Sequence, residues 1–291
     1  MAKRAICVGI NKFANYPQFA LNGCVNDAND MASLCKQVLG FKASEVTVLT
    51  DAKATKAAIM SALGIAVKDA KAGKISSLLF AWSSHGTQIT DTSGDEPDGK
   101  DEAFVPYDIA EKAGDWDPAH LITDDEFHDL FIQLPANVML EVYLDTCHSG
   151  TGLRGAEFGL HAPRARFVAP PSHQGVGRQA AVSGFSLAAK AKPKKPAAAA
   201  KKALDSKASA DGLNQILWSG CKADQTSADA YFGGRYNGAF TYNYIKVLRA
   251  TNNALSRAKV IAQMRTAMTG QFSQTPQLET SATNRNSAVV L

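Results

Sequence analysis

Short apolar runs, separated by helical patterns, constrain this chain more than any other feature of its sequence. They fall at 5–10, 46–50, 77–82, 138–145 and 215–219. Each is too short for an apolar helix and has little polar alternation, which is the pattern of a strand buried on both faces. Between them, Ala28, Met31, Leu34, Cys35 and Val38 share one helical face. Ile59, Leu63, Ala66 and Val67 share a second, and Phe127, Leu130, Phe131 and Leu134 a third, with Thr123 or Asp124 as its N-cap. Strands that alternate with helices predict an α/β fold: a mainly parallel central sheet with helices on both faces.

Residues 163–212 break this pattern. They are rich in Pro, Gly, Ala and Lys and poor in large apolar side chains, so little burial offsets the entropy of ordering them. The expected organisation is a larger block at 1–162, a flexible linker at 163–212, and a smaller block at 213–291. The last has one clear strand and helices near 238–250 and 256–269, too little to bury a core alone, so it completes the same sheet.

Charge and cysteine usage narrow the function classes. The net charge of +4 comes from one place, because residues 190–207 hold seven lysines against one aspartate. That run has no interleaved aromatics and no amphipathic spacing, so neither nucleic acid nor a membrane surface is an expected partner. The five cysteines, Cys7, Cys24, Cys35, Cys147 and Cys221, are odd in number and form no Cys-x-x-Cys pair. They suit a reducing compartment. The apolar run near residue 5 is too short for a signal sequence, and no stretch reaches the roughly 18 apolar residues of a membrane span. The expectation is a cytoplasmic protein.

Two strand ends carry chemistry. Asp145-Thr-Cys-His-Ser-Gly150 follows the apolar run Val142-Tyr-Leu, and Ser83-Ser-His-Gly86 follows the run ending at Trp82. In an open parallel sheet, ligands bind beyond the carboxyl ends of the strands. A thiol at Cys147 and an imidazole at His85 would meet there if their strands are neighbours, as nucleophile and general base. Gly150 and the small residues around Cys147 would let the turn aim N–H groups at an oxyanion. His148 adjoins Cys147 and so points elsewhere. The bland reading of a free cysteine is a buried structural one, and it is applied here to Cys7, Cys24, Cys35 and Cys221. The spacing from Cys147 to Arg154 is one residue too long for the phosphate-cradling loop of phosphatases, whose backbone nest depends on loop length.

At these residues the sequence resembles the metacaspases, in particular the short bacterial forms called orthocaspases. The resemblance extends through Leu21-Asn-Gly-Cys-Val-Asn-Asp27, Ser83-Ser-His-Gly86, Asp98-Gly-Lys-Asp-Glu-Ala-Phe-Val-Pro106, Ile122-Thr-Asp-Asp125, Asp145-Thr-Cys-His-Ser-Gly150 and Ser219-Gly-Cys-Lys-Ala-Asp-Gln-Thr-Ser227. It implies a caspase-like fold and a cysteine endopeptidase acting through a thioester acyl-enzyme. His85 and Cys147 match the family dyad, with the N–H groups of Gly86 and Cys147 meeting the oxyanion. The resemblance also implies a cut after Arg or Lys. Asp27 and Asp145 would line the pocket for that side chain, with Ser83 as a neutral acceptor, because paired carboxylates suit a guanidinium. Without the resemblance, Asp27 reads as the cap of a helix at about 28–39.

The resemblance further implies Ca²⁺ bound by Asp101, Asp124 and Asp125. Without it, these residues read as a solvated acidic loop and as helix N-terminal charge. Arg154 stands where the family often has an aspartate, and a cation there would repel Ca²⁺. A basic-specific protease with an exposed basic linker is its own nearest substrate. Arg154, Arg164, Arg166, Arg178 and Lys190 are therefore candidate self-cleavage sites. Expected partners are protein or peptide substrates with a basic residue before the cut, and the family suggests a monomer. The alternative from another class is a catalytically silent caspase-like scaffold.

Overall fold

A computed structural model describes residues 2–90, 100–147, 163–173 and 214–289. Its strands are β1 (Ala2–Gly9), β2 (Val46–Thr50), β3 (Ile75–Ser83), β4 (Gly86–Thr90), β5 (Lys100–Phe104), β6 (Glu111–Lys112), β7 (Asp115–Trp116), β8 (Ile122–Thr123), β9 (Met139–Asp145), β10 (Arg164–Ala165), β11 (Gln215–Ser219), β12 (Ala228–Phe232), β13 (Arg235–Gly238) and β14 (Gln277–Thr280). Its helices are α1 (Cys24–Gln37), α2 (Lys56–Lys71), α3 (Asp124–Phe131), α4 (Ala239–Ala250), α5 (Arg257–Met268) and α6 (Ala282–Asn286).

Six strands form the central sheet in the order β14-β11-β9-β3-β1-β2. All neighbours are parallel except β14, which pairs antiparallel with β11 at one edge. The expected α/β architecture is therefore present, and the smaller block extends the sheet of the larger one through β11 on β9. Side chains of β3 alternate between two cores, as a strand of period two requires. Leu78, Phe80 and Trp82 join α2 and α3 residues such as Leu63 and Phe127 on one face. Leu79 and Ala81 join Met31, Tyr143, Trp218 and Tyr244 on the other. Thr123 caps α3, its hydroxyl accepting from the N–H of Glu126.

A buried ion pair fastens the smaller block. Glu141 on β9 and Arg257 on α5 are both fully buried, with Arg257 Nη2 donating to Glu141 Oε2 at 2.7 Å. Trp218 Nε1 also donates to Glu141, and Arg257 Nη1 reaches the carbonyl of Ala288 near the end of the described chain. Removing one member of such a pair strands the other charge. Arg257→Met is therefore expected to cost about 3–5 kcal/mol, read as a lowered urea midpoint against wild type. Loss of under about 1 kcal/mol would contradict this.

Residues 163–173 depart from the expected linker. Arg164–Ala165 pair antiparallel with β12, and the Arg166 side chain has no exposed surface. The ion pairs of Arg166 and the apolar burial of Val168 together hold this segment. Residues 174–212 lie outside the described residues.

Candidate active site

Ser83 on β3 lies directly opposite Asp145 on β9 in parallel register. His85 and Cys147 each follow by two residues, so both leave the sheet at the same carboxyl edge. His85 Nε2 lies 2.7 Å from the carbonyl of Phe19, with which only an N–H can bond. That contact fixes the tautomer and leaves Nδ1 as the proton acceptor. Nδ1 is buried without a hydrogen-bond partner. Burial, reinforced by the positive charge of Arg166, lowers the imidazole pKa to about 4. At neutral pH the ring is therefore uncharged, the state a base needs. The Phe13 and Phe19 rings flank it at 5.3 and 6.4 Å between centroids.

The Cys147 sulfur accepts the N–H of Ser227 and its thiol reaches the Ser227 carbonyl at 3.5 Å. Cys221, read from sequence as structural, is only half-buried and lies beside Cys147. Its contact with the Cys147 thiol, together with burial, pushes its own pKa well up and keeps it protonated.

The pocket beside His85 and Cys147 is built from three carboxylates. Asp27, Asp145 and Asp229 are each at most 1% exposed. Asp27 lies within the first turn of α1 and does not cap it. The N-terminal N–H groups of α1 at Cys24 and Val25 instead donate to Asn11 Oδ1. This frees the Asp27 carboxylate to accept from Ser83 Oγ at 2.7 Å and from the N–H of Gly238 at 3.0 Å. Asp145 accepts from Ser227 Oγ, Thr241 N and Thr241 Oγ1 at 2.5, 3.0 and 2.7 Å. Asp229, which sequence reasoning missed, accepts from the N–H groups of Asn22 and Gly23. Gly238 has to be glycine, because a Cβ there would fall on the Asp145 carboxylate and the Arg166 guanidinium.

Arg166 of the same chain fills this pocket. Its guanidinium meets Asp27 at 2.7 Å, Asp145 at 3.1 Å and Asp229 at 3.0 Å, and it donates to Ser83 Oγ at 2.7 Å. Burial opposes its charge, but the carboxylates, Asp145 foremost, hold its pKa well above the ordinary value. Burial, opposed by Arg166 and reinforced by the Asp145 charge, pushes the Asp27 carboxyl up to about 6. The Arg166 carbonyl oxygen meanwhile accepts from the N–H of Gly86 at 3.0 Å and of Cys147 at 3.3 Å. Those are the two donors expected at an oxyanion, and the same residue occupies both subsites.

Other sequence expectations fall apart from this centre. Asp101 on β5 and Asp124 at the start of α3 are buried at 4% and 3% exposure, on elements joined through the β5–β8 pair. Among the described residues, however, no three His, Cys, Asp or Glu side chains gather to hold a metal ion. Asp98 lies outside the described residues, as do His148, Gly150, Arg154, Arg178 and Lys190. Arg164 is exposed on β10, its guanidinium donating to the carbonyl of Ala20 at 2.9 Å. No described helix is long and apolar enough to cross a membrane.

Comparison with known proteins identifies the family. The family model described as metacaspase, peptidase C14 domain, matches residues 3–155. Metacaspase-1A of Aspergillus niger is 32% identical over 297 residues, spanning 96% of this chain and 70% of that protein. Metacaspase-1 of Coccidioides immitis is also 32% identical, over 96% of this chain and 61% of its own length. Among solved structures, protein GSU0716 from Geobacter sulfurreducens matches with a TM-score of 0.62 at 25% identity, over 97% of this chain and 94% of that one. Caspase-1 from Spodoptera frugiperda matches with a TM-score of 0.53 at 12% identity, over 96% and 86% of the two chains. That second likeness bears on fold alone, which it makes caspase-like. With a family model spanning more than half of the sequence and relatives aligned along nearly all of it, this chain belongs to the metacaspases of peptidase family C14 and is a cysteine-type endopeptidase.

Proposed function

We propose that this metacaspase cuts peptide bonds after Arg or Lys, and that the first bond it cuts is its own, between Arg166 and Phe167. One observation carries the reading. Arg166 puts its side chain among three buried carboxylates and its carbonyl oxygen on the N–H groups of Gly86 and Cys147 at once.

Chemistry follows from that seat. Nδ1 of His85 takes the thiol proton, and the Cys147 sulfur attacks the Arg166 carbonyl carbon. Charge then develops on the oxygen already held by two N–H donors, where preorganised dipoles act most strongly. The protonated imidazole returns its proton to the Phe167 nitrogen, the C–N bond breaks, and a thioester remains. Water, deprotonated by the same imidazole, hydrolyses the thioester and restores the thiol. An acidic side chain in this pocket would face three carboxylates and be rejected. Before cleavage, Arg166 also denies the pocket to other substrates.

Incubated wild-type chain is expected to give two fragments, the second beginning at Phe167 by mass spectrometry. Arg166→Lys should retain that cut and Arg166→Gln should lose it. Matched fluorogenic peptides ending in Arg, Lys or Asp should be cut in the first two cases only, and a chelator arm in the same assay tests the calcium expectation. Cleavage after Asp, or none after Arg, would sink the reading. Complete burial of Arg166 also suits a silent scaffold whose pocket is permanently filled. An intact wild-type chain that ignores all three peptides is the result that scaffold predicts.

A further inference from the structure

We infer that the site also reads the far side of the scissile bond, through a buried subsite that selects a compact apolar residue two positions after the cut. This rests on the reading of Arg166 as the residue whose bond is cleaved, and it concerns Phe167 and Val168 beyond it.

Gly86 sets the geometry. Its N–H donates to the Arg166 carbonyl, and its own carbonyl accepts the N–H of Val168, both at 3.0 Å. A single glycine therefore brackets Phe167, which pairs with it as an isolated parallel bridge. The clamp extends one group further, because the Thr87 hydroxyl donates to the Val168 carbonyl at 2.6 Å. Trp116 Nε1 donates in turn to that hydroxyl oxygen at 2.9 Å, which orients the O–H toward the peptide. Thr87 and Trp116 are both buried, at 0% and 3% exposure.

With the backbone held so, the side chain of Val168 is 5% exposed and joins the apolar core that includes Ile89 and Val105. A carboxylate or ammonium in that place would be buried in apolar surroundings. The other side of the cut is more permissive. Arg166 donates its N–H to the Ser227 carbonyl at 3.1 Å, and Arg164 and Ala165 continue along β12 by backbone pairing. The Arg164 side chain there is exposed. The expected substrate is thus an extended peptide of the form Arg, any residue, then Val or a similarly compact apolar side chain.

Internally quenched peptides built on residues 164–170 test this with the self-cleaved wild-type enzyme, products being located by mass spectrometry. Replacing the valine by aspartate is expected to lower kcat/KM at least about tenfold, while replacing the leading arginine by alanine changes it little. In the chain itself, Val168→Asp should slow self-cleavage after Arg166 by a similar factor, and the peptides decide should that variant misfold. Equal cleavage of the valine and aspartate peptides would overturn the inference. A fluorogenic peptide ending in Arg separates the two levels. If it is cut and the valine peptide is not, the far-side subsite is wrong and the basic specificity stands. If neither is cut, the basic specificity fails and the subsite falls with it.

Discussion

Cys147→Ala is expected to leave the chain uncut and to lower hydrolysis of an Arg peptide by about 10⁴-fold or more. The substitution removes the sulfur and nothing else that holds the substrate. The N–H of residue 147 still reaches the Arg166 carbonyl, and the three carboxylates still hold the guanidinium. What remains is binding without a nucleophile, and residual rates of that kind come from the oxyanion donors and substrate binding. The measurement is a denaturing gel of wild type and variant over time, with peptide hydrolysis followed in parallel. Self-cleavage at the wild-type pace in the variant would remove Cys147 from the mechanism. Cys221 makes the experiment informative, because a second thiol lies beside the first. If it served as the nucleophile, the variant would retain activity.

Asp145→Asn should lower kcat/KM for an Arg peptide by about 2–5 kcal/mol in transition-state binding, which is roughly 30- to 5,000-fold. The argument lies in counting acceptors. One carboxylate oxygen of Asp145 takes Ser227 Oγ and faces Arg166 Nη1, and the other takes both the N–H and the hydroxyl of Thr241. An amide has a single oxygen. With its NH₂ toward the guanidinium, two donors confront each other, and with the NH₂ toward Thr241, the N–H of α4 loses its acceptor. Thermal melts of the variant separate this from a loss of fold, since Asp145 also ties β9 to α4. A folded variant within about threefold of wild type would show that Asp145 does not recognise the basic side chain.

The central sheet was legible because its strands are buried on both faces and so appear as unbroken apolar runs. The runs at 46–50 and 215–219 match β2 and β11 to the residue. His85 and Cys147 were legible for the same reason, each lying just past such a run. Smaller elements were not. β12 and β13 are short and outside the main sheet, and their one local signal is the Gly233-Gly234 turn, whose glycines take φ of 53° and 107°. That pair between Phe232 and Arg235 is a hairpin signature, and reading it would have brought Asp229 into view. β14 is an antiparallel edge strand with a single buried residue, Leu278, and so lacks the run of the others. The carbonyl of Phe19, which orients His85, has no residue signature at all, since any amino acid supplies one. Arg166 was named as a possible cut site, but its seat depends on carboxylates from α1, β9 and β12, which only the folded chain brings together.

The antiparallel run of Arg164 and Ala165 along β12 has a cost for other proteins that would enter this cleft. A target must surrender its own secondary structure over several residues so that its main chain can zip onto that strand and then thread past Gly86. Under the proposed specificity, arginines wound into helices, however exposed, are thereby spared, and the expected targets are loops, tails and chains that have lost their fold.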